Sequence, residues 1–248
     1  TAHTTIYFPE IEAFHISLPT RNHQERVGAK VDALIAQLNL INKSLDHIPT
    51  LVKNFRQQVL TQAVTGKLTK EWREDNKLKN GSVKALENIG KIICGQSPKV
   101  SEVNYEGKGT PYVTGPEQWK NGKFKESKWT EFPKRIAPKN SIFVTVKGAG
   151  VGKTFKGVNA AIGRDVYAYV PNENNDFIYI MYAIQASVSE VVIKAKGLIP
   201  GLSKRDIIEH QIYLPAIIEQ QEIVNRVESL FAKVDAIEAH YEALKSKI

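Results

Sequence analysis

The chain has 248 residues, of which 42% are hydrophobic, 24% charged and 8% aromatic, a composition typical of a globular protein with one or two domains. It contains no apolar run near the ~18 residues of a membrane helix, and its single cysteine, Cys94, excludes an intrachain disulfide and indicates a reducing, cytoplasmic compartment. The formal net charge of +8 indicates a polyanionic partner.

Two copies of one pattern, a Leu-Pro dipeptide followed by a long amphipathic helix, organise the chain. The first copy starts at Leu18-Pro19 and the second at Leu214-Pro215, a shift of 196 residues (214 minus 18). Apolar residues in both helices step by four and three, the period of a coiled-coil seam, and the opposite net charges of the helices favour antiparallel pairing. The predicted seam, an interface within the chain or with another subunit, consists of Val27, Val31, Leu34, Leu38, Ile41, Leu45, Ile223, Val227, Leu230, Val234, Ile237 and Leu244.

The remaining elements follow in chain order. Residues 1–19 contain strand-like pieces, and residues 20–66 form the first long helix, with a kink near Pro49 because proline lacks a backbone donor. Residues 67–82 are polar and predict a linker. Residues 83–215 alternate short apolar pieces with Gly, Pro and Asn, which predicts a mostly antiparallel β domain with small helices, and residues 216–248 form the second long helix. The fold class is therefore α+β.

The positive charge concentrates in the β domain. Residues 98–156 hold 12 Lys and Arg against 5 Glu, so the turns of this segment are candidates for contact with DNA phosphates. The Gln118 amide suits an adenine edge and Glu117 a cytosine amino group, although an ordinary surface turn with Trp119 packed inward is the alternative. The candidate DNA-binding residues are Gln96, Lys99, Thr114, Glu117, Gln118, Lys120, Lys123, Lys147, Lys153, Lys156, Lys194, Lys196 and Lys204.

Motifs for catalysis are incomplete. Residues 148–154 approach a phosphate-binding loop, but Lys147 stands where its first glycine belongs, so a tight basic turn is the better interpretation. Glu126-Ser127-Lys128 is half of a nuclease motif and lacks the second acid that would hold a metal. The six histidines and Cys94 show no metal-ligand spacing. We expect no catalysis, metal or cofactor in this chain alone.

Several strings occur together in an informative order: residues 90–98, Pro111–Glu117, Val144–Lys153, Gly197–Ser203 and the run from Leu214 to Val224. With them, the chain resembles the specificity subunit of Type I restriction-modification enzymes over nearly its whole length. A full subunit of that family has two recognition domains and two conserved helices. The resemblance therefore implies that this chain is the C-terminal half, with residues 1–19 as the closing strands of a first domain, and it leaves open a natural half-length protein or a fragment.

The resemblance implies a function. The β domain would be a target-recognition domain that reads a half-site of a bipartite double-stranded DNA target. The helices would dock modification subunits and, through them, restriction subunits. S-adenosylmethionine, ATP and Mg would then belong to partner subunits, and a half-subunit could restore two-domain geometry as a homodimer. The alternative is a coiled-coil scaffold or protein-interaction module with a non-DNA ligand.

Overall fold

A computed structural model of the chain describes residues 7–246, apart from 16, 121, 149 and 195–200. Two compact units are distinguished, one comprising the described residues up to Leu51 with those from His240 onward, the other Val52–Ala239. The helices are α1 (Phe8–Glu12), α2 (Arg21–Asp46), α3 (Ile48–Val64), α4 (Lys70–Asp75), α5 (Phe177–Lys194), α6 (Lys204–Ile208) and α7 (Ile217–Lys245).

The strands lie between Ser82 and Leu214 and build two main sheets. One has the order β10-β9-β12-β2 and is antiparallel throughout; the other has the order β3-β7-β4-β11-β8, in which only β4 and β11 are parallel. Two further antiparallel pairs are β1-β13 and β5-β6. This architecture confirms the α+β prediction. The strands are β1 (Ser82–Ala85), β2 (Gly90–Cys94), β3 (Val103–Asn104), β4 (Thr110–Val113), β5 (Trp119–Lys120), β6 (Lys123–Phe124), β7 (Trp129–Thr130), β8 (Ile136–Ala137), β9 (Ile142–Thr145), β10 (Thr154–Lys156), β11 (Ala160–Ile162), β12 (Val166–Pro171) and β13 (Gln211–Leu214).

The core of the larger unit is divided by the four-stranded sheet. Successive side chains of a strand point to opposite faces, so Ile142 and Val144 of β9 join one apolar cluster while Phe143 between them joins the other. The first cluster also takes residues from α3, α5 and α7, so these helices cover one face of the sheet. The second cluster joins this sheet to the five-stranded one.

Helices α3 and α7 pack antiparallel within the larger unit. Arg56 in the middle of α3 donates to Asp235 (2.5 Å) and Glu238 (2.7 Å) in the C-terminal half of α7, while Arg226 in the N-terminal half of α7 donates to the Leu68 carbonyl beyond α3 (3.0 Å). The guanidinium of Arg56 also lies 5.1 Å from the ring centroid of Phe231. Charged side chains thus join the two helices at two places along their length.

The predicted seam is divided between the two units. On α7, Ile223, Val227 and Val234 are buried and Leu230 is half-buried, but Ile237 and Leu244 are exposed. No residue of α2 is buried, and Leu45 alone of its seam positions is half-buried. The described residues therefore bury only part of the predicted seam, and its role as an interface stays a prediction. The residues left half-exposed on α2 are Val27, Val31, Leu34, Leu38 and Ile41.

Two boundaries predicted from polarity also need correction. The linker predicted for residues 67–82 contains α4, and Thr69 and Arg73 are buried. The polar composition of this stretch suggests exposure to solvent, because the sequence pattern does not reveal that the partners of these polar residues lie far away in the sequence. The strand-like pieces predicted within residues 1–19 lie partly outside the described residues, and the described part of that stretch contains the short helix α1 and no strand. The helical run breaks at His47, two residues before Pro49.

The two Leu-Pro copies start their helices in the same way. Gln24 Nε2 donates to the Pro19 carbonyl at 2.7 Å, and Gln220 Nε2, 196 positions later (220 minus 24), donates to the Pro215 carbonyl at 2.9 Å. In the second copy the same amide also accepts from the Asp176 N–H at 2.8 Å, which ties the start of α7 to the start of α5. The repeat is therefore a repeat of local geometry.

A buried ion pair joins α4 to α7. Arg73 Nη1 donates to Glu219 Oε1 at 2.7 Å and to the Tyr213 hydroxyl at 2.8 Å, and the Thr69 hydroxyl donates to the same Glu219 oxygen at 2.8 Å. The Glu219 side chain is fully buried, and its Oε2 has no hydrogen-bond partner among the described residues. A second residue around Tyr213 is Gly81, whose N–H donates to the hydroxyl at 2.9 Å.

We expect Glu219→Gln to lower the free energy of unfolding by about 3–5 kcal/mol, because it leaves the buried Arg73 charge without its counterion. Urea unfolding followed by circular dichroism measures the loss. The matched control is Glu25→Gln, which breaks the solvent-exposed ion pair between Glu25 and Arg21. This variant should lower the free energy of unfolding by less than about 1 kcal/mol. Equal losses in the two variants would contradict a structural role for the buried pair.

Candidate nucleic-acid interface

Two loops of the larger unit meet at one end of the sheets. The first, residues 114–118, follows β4, and the second, residues 146–153, joins β9 to β10. They touch closely: a Cβ atom on Gly150 would lie 2.7 Å from Cγ of Pro116. Between them is the loop cleft, about 430 Å³ in volume and lined by Thr114, Gly115, Pro116, Glu117, Thr145, Lys147, Gly148, Gly150, Lys153 and Asp165.

The second loop is a hairpin turn. Gly148 (φ +80°) and Gly152 (φ +86°) adopt the left-handed conformation that favours glycine, and the chain continues into β10 rather than a helix. The backbone closes through Gly152 N–H to the Thr145 carbonyl at 2.9 Å and Thr145 N–H to the Lys153 carbonyl at 3.0 Å. The structure therefore confirms a tight basic turn instead of a phosphate-binding loop, with Lys147 and Lys153 exposed beside the cleft.

The first loop is held by a buried amide. Gln118 is 3% exposed; its Oε1 accepts from the Thr114 N–H at 2.7 Å and its Nε2 donates to the Tyr112 carbonyl at 3.0 Å. Both ends of the amide are used inside the protein. The prediction that Gln118 meets an adenine edge is thus contradicted, because its side chain shapes the loop instead.

Glu117, by contrast, is exposed beside the cleft. Its Oε1 accepts from the Thr114 hydroxyl at 2.9 Å, and Lys128 Nζ donates to that same hydroxyl oxygen at 2.9 Å. Lys128 is not among the predicted site residues, because in the sequence Glu126-Ser127-Lys128 matches only half of a nuclease motif. In the structure Glu126 accepts from the Trp129 indole at 3.2 Å, so both charged residues of that motif support the fold.

Further candidates line a second cleft of about 500 Å³. Gln96 and Lys204 share it with Cys94 and Arg135, and Arg135 is a basic residue that the sequence patterns did not single out. Burial, followed by the neighbouring Cys94, raises the pKa of Tyr167 close by. A basic cleft of this kind suits a phosphate oxygen.

Lys99 is exposed at the start of a 3-10 turn. Its backbone N–H donates to Glu102 Oε2 at 2.9 Å, and this hydrogen bond, assisted by Lys134, lowers the pKa of Glu102. The lysine side chain is therefore available to solvent, whereas its backbone maintains the turn.

The structure separates the remaining lysines from the loop cleft. Lys120 and Lys123 are exposed on the β5–β6 pair, and Lys156 lines an apolar pocket of about 630 Å³ at the far end of β10. Trp119 stacks inward, 4.8 Å from Phe124 and 4.3 Å from Phe155 between ring centroids, as the alternative interpretation of this turn expected. The side chain of Lys194 and all of Lys196 lie outside the described residues.

Among the residues that the structure describes, no group of three or more His, Cys, Asp or Glu side chains could hold a metal ion. None of the helices described there has the length and apolar character needed to cross a membrane.

Comparison with known proteins identifies the family. A family model described as the Type I restriction modification DNA specificity domain matches residues 79–246. The chain belongs to this family. The specificity subunit of the Type I restriction enzyme EcoBI from Escherichia coli is 31% identical over 249 residues, covering 90% of this chain and 52% of the relative. The chain thus spans about half the length of the curated relatives it matches.

Solved structures share the fold of this specificity-domain chain. A chain of a type I R-M system superposes with a TM-score of 0.74 at 22% identity and covers 93% of this chain and 57% of its own length. The HsdS subunit from Thermoanaerobacter tengcongensis superposes with a TM-score of 0.62, also at 22% identity, over 90% of this chain and 54% of that subunit. The resemblance noted from sequence strings is therefore confirmed.

We predict that Gln118→Ala destabilises the protein by about 1–3 kcal/mol, because it leaves the Thr114 N–H and the Tyr112 carbonyl without their buried partner. Thermal unfolding measures the change, and the exposed neighbour Lys120→Ala is the control, expected to alter stability by less than about 0.5 kcal/mol. Unchanged stability in Gln118→Ala, together with a changed base preference, would restore the base-reading interpretation.

Proposed function

We propose that this chain is the DNA-recognition part of a Type I restriction-modification system, which reads a half-site of a bipartite target and docks modification subunits. The observation that carries the proposal is the loop cleft in a chain of the specificity-domain family. Exposed lysine donors and carboxylate acceptors stand side by side there, and both kinds of group are needed to distinguish base pairs in the major groove.

The surrounding charge supplies the non-specific part of binding. The excess of lysine and arginine in residues 98–156 would neutralise DNA phosphates and release counterions, which gives a salt-dependent affinity. In this proposal Lys147 and Lys153 act next to the base pairs. Gln96, Lys99 and Lys204, with Arg135, act on the flanking backbone.

The helices would carry the subunit contacts. The pair α3–α7 packs into the same core as the β domain, so a partner docked on these helices is held at a defined position relative to the cleft. Restriction subunits would join through the modification subunits. In this proposal the chain is not itself catalytic and carries no cofactor. S-adenosylmethionine, ATP and Mg belong to the partners, and the complex works in the cytoplasm.

The half-exposed stripe of α2 supports a second copy of the chain as a partner. Five seam residues at coiled-coil spacing lie on a helix with no buried side chain, and an amphipathic helix gains stability by burying such a stripe. A symmetric dimer would read two identical half-sites in inverted order.

Light scattering should show a dimer of the wild-type chain at micromolar concentration and a monomer for Leu34→Asp. A monomeric wild-type chain would contradict this part of the proposal.

Co-expression with the cognate modification subunit should produce methyladenine in one split DNA motif, detected by sequencing the genomic DNA. The double variant Lys147→Ala/Lys153→Ala should weaken DNA binding and reduce the slope of log K against log salt by about 0.9 for each phosphate that is no longer neutralised. Lys30→Ala, on the exposed surface of α2, is the control and should leave the slope unchanged. A stable complex that methylates no motif would instead favour a protein-binding scaffold.

A further inference from the structure

The Glu117 carboxylate is the most unusual group of the loop cleft. It is exposed beside lysines in a segment with 12 basic and 5 acidic residues, and it forms no ion pair among the described residues. The other carboxylate of the cleft, Asp165, is half-buried and has Arg164 Nε 3.9 Å from its Oδ1. A carboxylate facing DNA repels phosphates, so Glu117 weakens non-specific binding unless a hydrogen-bond donor of the DNA meets it.

The carboxylate is held in place before any ligand binds. The relay from Lys128 through the Thr114 hydroxyl to Glu117 Oε1 uses one carboxylate oxygen. The other oxygen lies over Gly115, where an added Cβ atom would stand 2.4 Å from Glu117 Oε2, and all three nearest atoms to that position belong to Glu117. The burial of Gln118 next to it fixes the backbone of the loop. One oxygen is thus anchored by the hydroxyl, while the carboxylate as a whole remains exposed.

On the basis of the proposed function, we infer that Glu117 accepts a hydrogen bond from the 4-amino group of a cytosine, so that the half-site contains a G·C pair at the position over the loop cleft. In the major groove, cytosine offers only this donor, and a glutamate is its natural acceptor. Lys147 and Lys153 on the neighbouring turn supply donors for O6 and N7 of the paired guanine.

Adenine is the main rival, since its 6-amino group is also a donor. However, its N7 acceptor stands beside that amino group and repels the second carboxylate oxygen. A thymine methyl group would favour an apolar contact, whereas charged groups stand on both sides of this cleft. Thr114 and Gly115 are positioning residues, because they act by setting the direction of the Glu117 carboxylate.

The experiment selects a randomised duplex DNA library with the complex of the chain and its modification subunit, followed by sequencing of the bound fraction. The wild-type complex should enrich a motif with cytosine at one position. Glu117→Gln should reduce that cytosine preference roughly 5- to 100-fold, shift it toward adenine and leave the other positions unchanged, because glutamine pairs with adenine. It should also bind non-specific DNA more tightly, since a negative charge has been removed.

Two further variants make the test specific. Gly115→Ala keeps the carboxylate but displaces it, and should relax the same position without the shift toward adenine. Glu131→Gln is the matched control, because it removes an exposed carboxylate that lies away from the loop cleft. Glu131 follows β7 and lies beside Gly109, at the end of β4 opposite Thr114. This variant should leave the base preference unchanged at every position. Thermal unfolding of each variant confirms that it is folded.

The outcomes separate the two proposals. A wild-type motif that Glu117→Gln and Gly115→Ala both leave unchanged overturns the role of Glu117 and leaves the proposed function standing. A wild-type preference for a base other than cytosine at the position that responds to Glu117→Gln also overturns it. A wild-type complex that enriches no motif overturns the proposed function and this inference with it.

Discussion

The buried pair of Arg73 and Glu219 is the constraint on which the larger unit depends. Two charges removed from water are tolerated only when their hydrogen bonds are nearly complete, and here Thr69, Tyr213 and the pair itself supply them. Glu219 belongs to the first turn of α7, and Tyr213 belongs to β13. The pair therefore sets where the helix pair leaves the β domain, and with it the position of anything that binds those helices.

The loop cleft depends on the strands of the larger unit, because they position the two loops that line it. The turn that connects β9 to β10 lies next to the loop of residues 114–118, which follows β4. The two loops can be in contact because residue 150 is a glycine, since a Cβ atom there would come too close to Pro116. Within the first loop, Gln118 uses its whole amide to satisfy backbone groups. Its neighbour Glu117 is consequently presented to solvent. A buried polar side chain thus holds the backbone that presents an exposed one at the cleft.

The repeated helix start shows how one local structure serves two environments. Gln24 and Gln220 each bind the carbonyl of the preceding Leu-Pro element, but only Gln220 is buried and also receives the Asp176 N–H. The same heptad spacing is largely buried on α7 from Ile223 to Val234 and half-exposed on α2. Apolar spacing therefore predicts that a helix has a partner-binding face, and the spacing alone does not say whether the same chain supplies the partner.

The sequence by itself determined the repeat, the two long helical segments, the β character of the basic segment, the tight turn at residues 147–153 and the family, because all of these follow from local periodicity, turn residues and ordered motifs. Only the tertiary structure decided that Gln118 is buried while Glu117 is exposed, that Lys128 supports the cleft, and that the polar stretch around α4 belongs to the core. Each of these depends on partners distant in sequence, such as Glu219 for Arg73, and local polarity carries no information about such partners.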